Sequence, residues 1–104
     1  MKKNISTKDK ILDISLNLAR VGNWTADAYD QKKQLIARFM VQTQDYINNL
    51  SDKELNSLTR PVFKRFKKEF QDLRTEKIED ENKYSWAERA LTWANILQHR
   101  SGRA

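Results

Sequence analysis

The sequence predicts an all-α protein, a compact bundle of about five helices, and three observations carry that prediction. Only two glycines and one proline punctuate 104 residues. Apolar residues recur at three- and four-residue spacing almost throughout, which is the period of a helix and not the alternation of a half-buried strand. Ten aromatic residues (three Trp, three Tyr, four Phe) supply large apolar surfaces for one core, although 33% of the chain is charged. At this length a single domain, 1–104, buries about 60–68% of its unfolded surface without covalent staples.

The first helix starts at Ser6, whose hydroxyl suits an N-cap, with Asp9 in the first turn where the helix dipole favours an acid. Gly22 is its natural left-handed stop. Ile11, Ile14, Leu18 and Val21 form one stripe, flanked by Leu12, Leu16 and Ala19, so the apolar arc covers about 220°. A helix this apolar belongs at the centre, contacted on two sides. Residues 1–5 before it are expected to fray.

The second helix, about 26–49, begins after Trp24 with Thr25 or Asp27 as cap. Leu35, Ile36, Phe39, Met40, Thr43, Tyr46, Ile47 and Leu50 fall within about 140° of arc, joined by Tyr29. Its length of about 36 Å equals the diameter of a domain of this size. Such a helix either forms the spine of the fold or projects and needs a partner.

Ser51-Asp52-Lys53-Glu54 is a capping box, and Leu50 can staple onto Leu55. A short helix is therefore expected over about 52–58. Thr59-Arg60-Pro61 restarts the chain, proline suiting the first helical position and disfavouring helix at Arg60. The fourth helix spans about 61–77 with Val62, Phe63, Phe66, Phe70 and Leu73 inward; alternatively, it continues the short helix across a kink at Pro61. Glu79-Asp80-Glu81-Asn82 is the least structured stretch. Ser85-Trp86-Ala87-Glu88 is a second capping box. The fifth helix carries Trp86, Ala90, Trp93, Ala94 and Leu97 on one face and stops near His99, leaving 100–104 to fray.

The chemistry is read mostly by exclusion. Without cysteine there are no disulfides and no thiolate metal sites, which fits a reducing compartment. No segment approaches the roughly 20 apolar residues of a membrane span, and Asp13, Asn17 and Arg20 interrupt the only stretch resembling a signal core. A cytoplasmic protein is expected. The single histidine, His99, sits on a polar face in a terminal turn, where the helix C-terminus explains it better than catalysis does. Glu76, Glu79, Asp80 and Glu81 lack the alternation and glycine of a calcium loop and read as a solvated linker. No glycine-rich loop cradles phosphate. No enzyme activity, cofactor, metal or small-molecule substrate is expected.

What remains is charge and aromatic surface. The net charge is +6. Lys64, Lys67, Lys68 and Arg74 fall on the side of the fourth helix opposite its apolar residues, with Arg65–Glu69 and Lys68–Asp72 placed to offset their repulsion. Lys2, Lys3, Lys8, Lys10, Arg100 and Arg103 would extend that field if the fold brought them near. Trp86 and Trp93 read as core, and Tyr84 as a residue able to stack on a ligand. Trp24 lies in an expected loop, where it either staples the second helix or anchors a partner. The segment 52–77 resembles a helix-turn-helix over about 25 residues, with Arg60-Pro61 where glycine is usual. Two functions follow from these features. The first is a non-enzymatic helical protein-interaction or regulatory module, a homodimer packing the long helix being one form. The second is a nucleic-acid-binding protein contacting phosphates through the basic face of 61–77.

Overall fold

The computed structural model describes residues 6–102, which are all-helical apart from their connections. Three α-helices, α1 (Thr7–Asn48), α2 (Thr59–Thr75) and α3 (Lys83–Ser101), are joined by a 3-10 turn at Asp52–Glu54 and a loop over 76–82. The expected count of five is corrected. The first two predicted helices join without a loop into α1, separated only by the non-helical Ala28, and the short helix of 52–58 is a single 3-10 turn.

That long run does not extend straight. Forty-two residues of straight helix would measure about 63 Å, whereas the longest dimension of the molecule is 39 Å. The chain bends at Ala28, whose φ of −153° and ψ of 43° leave the helical region. The two arms, 7–27 and 29–48, then lie antiparallel. Asn17 donates to Gln42 at 3.0 Å, the Arg20 guanidinium lies over Phe39, and Lys10 reaches the Asn49 carbonyl. Partner numbers fall along one arm as they rise along the other.

Gly22 was expected to stop the first helix. It instead lies inside α1, buried, and its role is close approach. A Cβ there would stand 2.8 Å from Leu91 Cγ, 2.9 Å from Leu91 Cδ2 and 3.2 Å from the Ala87 carbonyl oxygen. Seven residues earlier on the same face, Ser15 donates its hydroxyl to the Ala94 carbonyl at 2.7 Å. Arm 7–27 and α3 therefore pack antiparallel through small residues. Arm 7–27 is the central rod, with α3 on one side and arm 29–48 on the other.

α2 completes the bundle on large side chains. Phe63, Phe66 and Phe70 are fully buried, and Phe66 meets Trp93 at 5.5 Å between ring centres. Trp86 is 1% exposed and donates its indole N–H to the Leu73 carbonyl at 2.9 Å, tying α3 to α2. Four rods result, each antiparallel to the next, around one core.

The junctions obey local chemistry. Ser6 caps α1, its hydroxyl accepting from the Asp9 N–H at 3.1 Å. The first capping box forms: the Glu54 carboxylate accepts from the Ser51 N–H at 2.9 Å, and Leu50 and Leu55 are both buried. The second does not form, because α3 starts earlier, at Lys83. Asn82 orders the preceding loop instead, accepting from the Glu79 N–H and donating to Glu76 and to the Lys77 carbonyl. α2 begins at Thr59, two residues before Pro61, and its N-terminal amides are capped by Asn56 Oδ1, which accepts from Leu58 and Thr59 N–H. Its proline still lies in the first turn, where a missing N–H costs nothing. α2 ends at Thr75 and α3 runs to Ser101, so Arg100 and the buried Ser101 are helical. The rest of the tails, 1–5 and 103–104, lies outside the described residues.

Two predictions follow from this packing. Gly22→Ala gains about 1 kcal/mol of helix propensity but overpacks an interface at a cost of about 1–3 kcal/mol. A lowered denaturant midpoint is expected, with a smaller loss when Leu91 is also alanine; a raised midpoint in the wild-type background would refute the close packing. The second concerns Glu54. The Lys10 ammonium, 2.6 Å away, and the Ser51 N–H hold its carboxyl below the ordinary 4.5. A depressed carboxylate stabilises the fold above its unfolded pKa and loses that contribution as pH falls through the folded one. Stability should therefore decline as pH falls below the ordinary 4.5, and Glu54→Gln should flatten that limb in thermal melts.

Candidate nucleic-acid interface

α2 holds six cationic side chains (Arg60, Lys64, Arg65, Lys67, Lys68, Arg74) against two acidic ones (Glu69, Asp72), or +4 of the chain's +6. The reason they share a surface is the phenylalanine stripe. Once Phe63, Phe66 and Phe70 are buried, helical geometry turns every cation outward. The four expected residues come together on one side. Measured from the centre of the buried face, Arg74, Lys67, Lys64 and Lys68 lie about 60°, 80°, 140° and 180° round the helix in one sense. In the other sense lie Glu69, Arg65 and Asp72, about 80–140° round.

The two flanks face different neighbours. The cationic flank borders arm 29–48. There the Lys67 ammonium pairs with Asp52 at 3.3 Å, and Arg74 Nη1 donates to Gln44 Oε1 at 3.0 Å. Gln71, between them, donates to the same Gln44 oxygen at 2.7 Å. Arg60 donates from Nε and Nη2 to the Asp52 and Leu55 carbonyls. The acidic flank borders α3, where Glu76 just beyond the helix pairs with Arg89 at 2.6 Å. The expected Arg65–Glu69 and Lys68–Asp72 pairs do not form. Lys64, Arg65 and Lys68 are exposed with no acidic partner among the described residues.

Gln44, Gln71 and Arg60 belong to this surface and were not singled out from the sequence. Gln71 sits four residues after Lys67 and three before Arg74, so its place in the stripe was visible. Gln44 comes from another rod and was not. Lys10, a candidate for extending the field, is occupied by Glu54. Lys2, Lys3 and Arg103 lie outside the described residues.

Other candidates take structural positions. Trp24 is not in a loop. It lies in α1, partly buried, with its ring edge-on to Phe39 at 5.2 Å and the Lys32 ammonium above it at 5.8 Å. It pins the two arms together beside the bend. Trp86 and Trp93 are core, whereas Tyr84 is 63% exposed at the start of α3. His99 is exposed in the last turn of α3. Glu79 and Asp80 stand near Lys77 and Lys83, and no group of three metal-ligating residues converges among the described residues. The helix-turn-helix resemblance is not realised, since only a three-residue 3-10 turn precedes α2. No helix among the described residues is long and apolar enough to cross a membrane.

The chain matches no protein-family model, no curated protein and no solved structure.

Proposed function

We propose that this protein is a non-enzymatic helical binding module that engages the phosphates of a nucleic acid through α2. One observation carries the reading: a single helix of 17 residues bears +4 of the +6 net charge, and Lys64, Arg65 and Lys68 have no acidic partner among the described residues. The exposed residues of α2 are cations, small polar groups, Asp72 and Pro61. Protein hot spots are built instead from aromatic anchors in desolvated pockets. A face of long mobile cations on a convex rod supplies field and not fit, and that suits a phosphate backbone.

The alternative module, a homodimer packing its long helix, drew its support from a helix as long as the domain. Arm 29–48 spans about 30 Å inside a molecule 39 Å long, and its Ile36, Met40 and Ile47 are buried within its own chain. Helix length alone therefore does not call for a second copy, and the charge of α2 favours a phosphate partner. The cysteine-free composition supports a cytoplasmic setting for this role.

Each phosphate contact made by a cation adds about 0.7–0.9 to the slope of log affinity against log salt. Lys64→Glu with Lys68→Glu should lower affinity for labelled oligonucleotides at least about tenfold and reduce that slope by about 2. Fluorescence anisotropy across a salt series, with heparin as competitor, reads both quantities. Circular dichroism should be unchanged, because both side chains are exposed. Affinity and slope equal to those of the parent protein would sink the reading.

A further inference from the structure

One hollow on the surface joins an apolar floor to the cations of α2. It lies where arm 29–48, the end of α2 and the 76–82 loop meet, and encloses about 280 Å³. Met40, Leu73 and Trp86, none more than 7% exposed, make its floor. Tyr29 and Val41 rise at its side, and Val41 is 55% exposed, high for a large aliphatic residue. Lys33 and Arg74 stand on the rim, the Lys33 ammonium 5.4 Å from the centre of the Tyr29 ring. Glu76 also lines the hollow, but its two carboxylate oxygens are taken by Arg89 and Asn82, which offsets its charge.

Arg74 belongs both to this rim and to the cationic flank of α2. From Arg74 the line continues through Lys67 to Lys64, about 15 Å along the helix, beside the Gln44 and Gln71 amides. An apolar hollow at the end of a cationic line matches a ligand with flat apolar rings on an anionic chain. A duplex cannot present that combination, because its bases are stacked and paired. A single strand can, since its bases are open to aromatic and aliphatic surfaces and its phosphates remain accessible.

We propose that the hollow receives one unstacked base of a single-stranded nucleic acid whose phosphates run along Arg74, Lys67 and Lys64. This inference rests on the function proposed above and assigns its ligand class and its path. The acidic flank of α2, with Asp72 and Glu69, lies off that path.

Anisotropy of a labelled single-stranded oligonucleotide and of a duplex of the same sequence, at one salt concentration, tests it. The single strand should bind at least about tenfold more tightly, as expected when one base stacks. Val41→Glu puts a carboxylate on the wall of the hollow from an exposed position and should weaken single-strand binding at least about fivefold. Lys33→Glu should do the same from the rim. Circular dichroism of each variant confirms that it folds. Equal or tighter duplex binding overturns the inference, as does unchanged single-strand affinity in both hollow variants. If Lys64→Glu with Lys68→Glu still abolishes binding in that event, the hollow falls and the nucleic-acid function stands. If that double variant binds normally, both fall.

Discussion

The rest of the structure depends on how closely arm 7–27 approaches α3. At Gly22 there is no room for a methyl group between the backbone and Leu91, and at Ser15 a side chain bonds directly to the Ala94 carbonyl. Ala87, Ala90 and Ala94 are the buried residues opposite. Small residues on both rods let backbones approach, and van der Waals contact falls steeply with any added gap. This pair fixes the position of the central rod. Arm 29–48 is then set by the bend at Ala28 and by the Trp24–Phe39 edge contact. α2 is placed last, on what the other three rods leave uncovered.

α2 meets that surface in a different way. Its contacts are the rings of Phe63, Phe66 and Phe70 and the Trp86–Leu73 hydrogen bond, so its backbone is held off by bulky side chains. Close packing on one side of the bundle and wedge packing on the other divide the labour. The tight pair leaves little surface for a ligand. The wedged rod has one flank turned to arm 29–48 and the other to α3. Both the cationic line and the apolar hollow lie along the seam between α2 and arm 29–48.

The elements were legible in the sequence where apolar period and capping agreed. Ser6, Ser51 and Glu54 act as read, and the inward stripes of α2 and α3 match the buried residues with few exceptions. The errors come from residues whose role is set by a distant rod. Gly22 looks like a terminator in isolation, because glycine at the end of an apolar run is the usual C-cap signal. Only Leu91 and Ala87, more than sixty residues on, give it a reason to be inside a helix. The same signal makes Trp24 read as a loop residue, since a helix ending at Gly22 leaves it outside. Ser85–Glu88 has the pattern of a capping box, yet Asn82 outcompetes it by bonding three groups of the preceding loop. The cationic side of α2 was visible in the sequence, while its partner Gln44 and the hollow were not, because both require two rods.

The cations of α2 are not explained by the stability of the fold. Arg60 and Lys64, and Lys64 and Lys68, are like charges four residues apart, each pair costing about 0.2–0.5 kcal/mol. Burial of a single phenylalanine contributes about 1.5–3 kcal/mol, so three of them hold the helix in place against that repulsion with margin. The helix therefore tolerates its charge without needing it. Arg60, Lys67 and Arg74 have acceptors within the protein, and substituting neutral residues at Lys64 and Lys68 would relieve repulsion at no loss of packing. Solubility does not account for the arrangement either, because charge spread over four rods would serve that end with less self-repulsion. Concentration of +4 on one rod, with a flank leading to an apolar hollow, is the arrangement that the proposed phosphate-bearing ligand would use.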